Sequence, residues 1–303
     1  MARSPGETAR AHTPVETAAG LRPDVRQALR DLLLVLADSK RLLGFRYAGW
    51  ILGAPELESG IACAAMAQDE WGHARLTYAL LQDFGDDVAA LEHARAPHEY
   101  ACMEVLDREP EDWAGLIALN AFADTALSVQ FEALSDCCYL PLRQRTGKLL
   151  AEEHYHAAHA GAWARRFLRG QADARARFVE RAHAMLPAVL AWFGARSGRG
   201  ALLAQAGICN GTSDDLRARF RTRVEPLVLL MAPDGVPDDP ATADFDEIRR
   251  RTRRAPGGGL GHAAPQGDAL LVLGAASDDG LAGPDLETIV RVRGDRNRPF
   301  LLD

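Results

Sequence analysis

At 303 residues the chain can hold one full core with appendages or two domains, and its formal net charge of -7 argues against general nucleic-acid binding. No apolar run approaches the roughly 20 residues that cross a bilayer, and residues 1–24 lack the apolar core of a signal peptide. The five cysteines show no Cys-x-x-Cys spacing and read as free thiols in a reducing compartment, so a cytoplasmic protein without structural zinc is expected.

Residues 1–24, rich in Ala, Pro, Thr and Arg without periodicity, read as a flexible N-terminal arm. A first long helix over 23–51 carries the stripe Leu29, Leu33, Leu36, Lys40, Leu43 and Tyr47, with Lys40 in the middle of an otherwise apolar face. Gly53-Ala54-Pro55 breaks it, and a second helix over 56–84 turns Cys63, Met66, Glu70, His73, Thr77 and Leu80 inward. The acidic, irregular stretch 85–110 is long enough to cross the end of a bundle.

A third helix over 111–138 has the stripe Trp113, Ile117, Asn120, Asp124, Ser128 and Phe131, in which Asp124 is the inward carboxylate near the middle. A fourth, from Pro141 to Leu168, turns Leu149, Glu153, His156, Ala160 and Trp163 inward. Residues 171–235 add two further helices, one over 173–193 containing Pro187 and one from a Ser213-Asp214-Asp215 cap to Met231, separated by a Gly-rich loop over 195–211. From 236 to 303 the chain turns to Pro, Gly, Asp and an arginine cluster at Arg249, Arg250, Arg251, Arg253 and Arg254, with Ala269–Leu273 and Thr288–Val292 as possible short strands. The expected division is an arm (1–24), a four-helix bundle (25–170), accessory helices (171–235) and an irregular tail (236–303).

Two stretches answer each other: Glu70-x-x-His73 and Glu153-x-x-His156. Three residues is about one helical turn, so each puts a carboxylate and an imidazole on one face. Two such helices plus one carboxylate from each of the other two make the metal layer of di-iron and di-manganese bundles. Here the four stripes bring together Lys40, Glu70, His73, Asp124, Glu153 and His156. Burying three carboxylates without cations costs several kcal/mol each, so something must balance them. One answer is a metal, for which oxygen and imidazole donors suit iron or manganese, with zinc also compatible. The other is mutual pairing around Lys40. Glu152 and His154 lie about 100 degrees round the wheel from their ligand-type neighbours and default to a solvated face. His159 reads as a partly exposed histidine, Tyr47 as a core tyrosine bonded to a carboxylate, and Glu132 as off the stripe. The arginine cluster reads as a solvated face, with docking of an acidic partner or a coenzyme phosphate as its sharper alternative.

The runs Leu42-Leu43-Gly44 through Trp50, Ala54-Pro55-Glu56-Leu57-Glu58, Ala67-Gln68-Asp69-Glu70-Trp71-Gly72-His73-Ala74-Arg75, and Glu153-His154-Tyr155-His156 with Trp163 resemble the ferritin-like subunits of bacterial phenylacetyl-CoA epoxidase. The resemblance covers about residues 28–235. That complex pairs a catalytic di-iron subunit with a related structural subunit that has lost its ligands. The resemblance implies an all-α, ferritin-like four-helix bundle with additional helices, in which Glu70, His73, Asp124, Glu153 and His156 match the metal ligands. The sixth position, a Glu in the first helix, falls on Lys40, and no carboxylate replaces it: Asp38 points about 160 degrees away.

The implied activity is a multicomponent non-haem iron oxygenase that inserts one oxygen atom from dioxygen into an aromatic acyl-CoA-type substrate. Glu70, Asp124 and Glu153 would serve at the metal, while Lys40 would neutralise carboxylate charge or bond a bound oxygen species. The implied partners are a related ferritin-like subunit and a separate electron-donating reductase, in a homo- or hetero-oligomer, with no nucleic acid and no membrane. Two ferrous ions with three carboxylates and a protonated Lys40 would leave about +2 in a low-dielectric core, whereas one ion would balance. The alternatives are a structural subunit with a vestigial metal layer and a stand-alone ferritin-like metal-dependent oxidase.

Overall fold

Pro23 supplies the fixed φ of the first turn of α1 (Pro23–Gly49), and Asp24 sits at the positive end of that helix. α1 is buried round much of its circumference, including Leu29, Leu32, Leu33, Leu36, Leu43 and Tyr47, which makes it a central helix rather than a surface one. α2 (Leu57–Leu81) runs back along it after the 50–56 turn. A Cβ at Gly44 would stand 2.6 Å from the Trp71 ring, so this glycine sets how closely α1 and α2 approach. Described here by a computed structural model, the chain is seen over residues 13–231 and 283–293, and that part is all-α and ferritin-like, with no strand.

The crossover contains α3 (Val88–His93) and two 3₁₀ turns. It is tied into the core by Arg95, which pairs with fully buried Asp38; the Tyr78 hydroxyl and the Ala101 amide also donate to that carboxylate. The only acid in the middle of α1 is thereby engaged away from the polar layer.

The third helical run is not the single regular helix expected over 111–138. Asp112 caps α4 (Trp113–Ala118) by accepting from the Gly115 amide at 2.7 Å. A π-helical segment, Leu119–Asp124, then leads into α5 (Thr125–Ala133). By length and hydropathy the run Trp113–Ala133 does meet the test for a bilayer span, against the sequence expectation. It is wholly buried in the protein, and its apolar character serves the core.

α6 (Leu140–Arg169) completes the bundle. Leu142, Thr146, Leu149, Glu153, His156, Ala160, Ala164 and Leu168 are buried at spacings of three and four, and the opposite face is exposed. α7 (Ala172–Trp192) packs on α4 and α6 and runs through Pro187 without ending there. The expected loop at 195–211 instead contains α8 (Arg199–Gln205), whose Leu203 is buried and which packs on α1. α9 (Ser213–Met231) is capped one residue earlier than expected, by Thr212: its hydroxyl accepts from the Asp215 amide while Asp215 accepts from the Thr212 amide at 2.8 Å.

Two termini differ from expectation. The arm is not loose throughout: Val15 exchanges backbone hydrogen bonds with Cys138 and Leu140, and Ala18 donates to Asp83 at 2.6 Å. Thr288–Val292 is helical, not extended, within α10 (Leu286–Arg293). Asp285 accepts from the Thr288 amide at 2.7 Å, and Thr288, Ile289 and Val292 form a buried face, so a cap and helical spacing override their β-branched preference. α10 lies against α1, where fully buried Arg46 donates to Thr288 Oγ1 at 3.0 Å. The arginine cluster and Ala269–Leu273 lie outside the described residues.

Candidate functional site

The α1, α2 and α6 stripes and the end of the π segment meet at one level, and every side chain expected there arrives. Lys40 and Glu70 are 0 % exposed, His73 and His156 1 %, Asp124 2 % and Glu153 4 %. Lys40 Nζ stands at the centre and donates to Glu70 Oε1 at 2.9 Å, Asp124 Oδ1 at 2.8 Å and Glu153 Oε1 at 2.6 Å. Its three hydrogens therefore meet three carboxylates from three different elements. Burial opposes its charge, but the charges of Asp124, Glu153 and Glu70 outweigh that and raise the Lys40 pKa well above its usual value.

Around this centre neutral side chains donate to the second oxygens of Asp124 and Glu153. Tyr47 donates to Asp124 Oδ2 at 2.9 Å and itself accepts from Asn120 Nδ2 at 2.8 Å; Ser128 donates to Glu153 Oε2 at 2.7 Å. π segments, with their i→i+5 hydrogen bonds, appear mostly as local insertions and frequently at functional sites. Here Asn120 and Asp124 fall within one, and both line the layer.

The two imidazoles are held crosswise. His73 on α2 meets Glu152 of α6 through Nε2 at 2.9 Å, and His156 on α6 meets Asp69 of α2 through Nε2 at 3.4 Å. His156 Nδ1 is 3.2 Å from both Glu70 Oε1 and Asp124 Oδ2. Both its nitrogens thus face carboxylate oxygens, an arrangement that favours the doubly protonated imidazolium. Burial opposes that charge, but the hydrogen bonds to Asp124 and Glu70 prevail and push its pKa up to about 11. His73 is raised as well, burial again being overcome by Glu153 and Glu70. Its Nδ1 lies 3.1 Å from Glu153 Oε1, near enough to pair charges, but out of line for a hydrogen bond. Burial and the neighbouring acids raise Glu70 to about 7 against the pull of Lys40, whereas Lys40 and His156 hold Asp124 well below the usual carboxylate range despite its burial.

Glu152 corrects the sequence expectation. The wheel angle placed it towards solvent, but its side chain reaches back across the α2–α6 seam to His73 and stays 29 % exposed. Asp69 makes the mirror-image contact. The signal was present in the order of residues, since an acid directly precedes each Glu-x-x-His, at Asp69-Glu70 and Glu152-Glu153. His159 is half-buried, bonded through Nδ1 to Asn120 Oδ1 at 3.2 Å and set edge-on to Trp113; burial, then His156, lowers its pKa. Glu132 pairs with Arg223 at 2.8 Å, away from the layer.

In kind, the donors suit a divalent cation: Glu70, Asp124, Glu153 and His156 each offer one atom, all within 4.8 Å of one another. A further hint is that Glu70 Oε2 and His73 Nδ1, both buried and 3.9 Å apart, have no hydrogen-bond partner. The geometry nevertheless does not fit a two-metal centre. The Lys40 ammonium occupies the middle of the donor set, and Asp38, the nearest acid on α1, is bound to Arg95.

The sequence model described as phenylacetic acid catabolic protein matches residues 11–248, most of the chain. The chain belongs to that family. No curated protein sequence matches it. Membership in the phenylacetic acid catabolic family connects the bundle to phenylacetate catabolism, and the matched stretch contains every residue of the polar layer. In this member of the family the layer is built around a lysine.

Proposed function

We propose that the chain is the structural, ferritin-like subunit of a multicomponent oxygenase of phenylacetate-type catabolism, one that acts on an aromatic acyl-CoA-type substrate at a metal centre carried by a related partner subunit. The observation that carries this reading is the contact of Lys40 Nζ with three buried carboxylates at 2.6–2.9 Å. An ammonium that satisfies the layer removes the charge imbalance that would draw a metal in. Exposed Leu52, Leu57 and Ile61, grouped at the turn between α1 and α2, support a protein partner, since apolar side chains clustered on a surface commonly mark an interface. Electrons would come from a separate reductase.

The test is reconstitution. The chain alone, supplied with a reductase, a reduced nicotinamide and phenylacetyl-CoA, is expected to consume no dioxygen. Adding the metal-bearing partner should give product, and a Lys40→Arg variant should support the same turnover. Substrate-dependent oxygen consumption by the metal-loaded chain without a partner would overturn the structural role.

A second reading, an iron-bearing subunit, is favoured by the unpartnered Glu70 Oε2 and His73 Nδ1. Glu70, His73, Asp124, Glu153 and His156 would then hold iron, whose chemistry is the reductive activation of dioxygen. On that reading Glu153→Ala loses bound metal and oxygen consumption together. Metal content unchanged by the substitution would exclude Glu153 as a ligand.

A further inference from the structure

We infer that Lys40 is a built-in cation that blocks a latent site for one divalent metal ion, so that replacing its ammonium with a neutral chain of similar length turns the layer into a metal site. The inference rests on the metal-free reading of the layer in the proposed function and adds to it what the surrounding side chains do once the ammonium is gone.

Two observations carry it. The ammonium sits where an ion would have to sit, bonded to one oxygen each of Glu70, Asp124 and Glu153, with His156 Nδ1 3.2 Å from two of those carboxylates. Removing it leaves those donors around an empty centre. Contraction from hydrogen-bond distances to the about 2.0–2.2 Å of metal–oxygen bonds asks for side-chain movement of less than about 1 Å each. Next, Glu70 Oε2 and His73 Nδ1 are buried without hydrogen-bond partners and lie 3.9 Å apart, so the layer already holds two donors that Lys40 does not use.

The outer contacts favour the same outcome. Asp69 and Glu152 hold the Nε2 atoms of His156 and His73 from outside, which aims the Nδ1 atoms of both rings inward whether or not Lys40 is present. Ser128 and Tyr47 hold the second oxygens of Glu153 and Asp124. These fixed rotamers leave little reorganisation for a metal to impose.

The experiment uses the full-length chain as wild type, Lys40→Met and Lys40→Arg, purified without metal and titrated with Co²⁺, followed by its visible absorption, elemental analysis after desalting, and thermal melting. The expected result is that wild type and Lys40→Arg retain no cobalt and melt at an unchanged temperature. Lys40→Met should retain about one ion per chain and melt several degrees higher with cobalt than without. Should Lys40→Met fold poorly, refolding with and without Co²⁺ gives the same comparison, and recovery only with cobalt supports the inference. A Lys40→Met chain that takes up no cobalt, or stays unfolded in both buffers, overturns the inference while a metal-free wild type leaves the structural role standing. Stoichiometric uptake by wild type overturns both.

Discussion

Lys40 shows how one side chain can set the character of a whole layer. Removing one partner from a buried ionic cluster typically costs about 3–5 kcal/mol, because the charges left behind have no solvent. In the absence of metal, Lys40→Met is therefore expected to lower stability by that order, measured as a shift in urea midpoint at constant slope. A loss under about 1 kcal/mol would mean that water enters the layer and screens the three acids. His156 offers a sharper check. With Asp69, Glu70 and Asp124 around its two nitrogens, its ring in a proton NMR titration should show its own large protonation step only above about pH 9, with at most a smaller inflection near pH 7 from the adjacent Glu70. A full imidazolium-to-imidazole step near the ordinary histidine value would show that the three carboxylates do not hold the ring charged. His159, lowered by burial and by His156, should titrate below that ordinary value in the same experiment.

Among the elements, those with a one-sided apolar stripe were legible in the sequence. α6 alternates buried and exposed positions along its whole length, and α1 and α2 declared themselves through Leu29–Tyr47 and Cys63–Leu80. What escaped was set by contacts that a helical wheel cannot hold. The π segment leaves no mark on the pattern because everything from Ala114 to Phe131 is buried on every side. α10 was read as extended because Thr, Ile and Val favour strands, while the decisive residue, Asp285, lies three positions before Thr288 and acts as a cap. Glu152 was misplaced because its Cβ direction says little about where a side chain of its length ends.

Two predictions belong at this scale. Gly44→Val should push α1 from α2 against the Trp71 ring and cost about 1–3 kcal/mol, the range for overpacking. Asp285→Ala should cost α10 about 1 kcal/mol of capping energy and raise amide exchange at Thr288 and Ile289, together with residues 104–109, which Arg46 joins to this helix. Exchange confined to α10 would mean that Arg46 holds the crossover unaided.

For the molecule as a whole, the layer makes stability depend on pH in a definite direction. Asp124 is held below its usual 3.8, so its contribution is present above that value and is lost as pH falls through its folded pKa. His156, raised from 6.5 to about 11, contributes fully below 6.5 and progressively less as pH rises towards about 11. Glu70, raised from 4.5 to about 7, adds a penalty that grows as pH climbs through that interval. The layer should therefore stabilise most on the acid side of neutrality. Urea midpoints of wild type minus those of His156→Gln should narrow between about pH 6 and about pH 10. A difference that widened with pH would mean that His156 is neutral in the folded chain.

The cage around Lys40 also bears on how the chain reaches its fold. Its three hydrogen bonds join residues separated by 30, 84 and 113 positions, so the ammonium finds its last acceptor only after α1, α2, the π segment and α6 have all docked. Loop closure over such separations is slow to be rewarded, so these bonds are expected to form after the rate-limiting barrier. Substituting Lys40 should then leave the refolding limb of a chevron plot almost unmoved and steepen escape from the native state, giving a φ-value near zero. The lysine would act as a latch closed last, lengthening the lifetime of the assembled bundle without hastening its assembly.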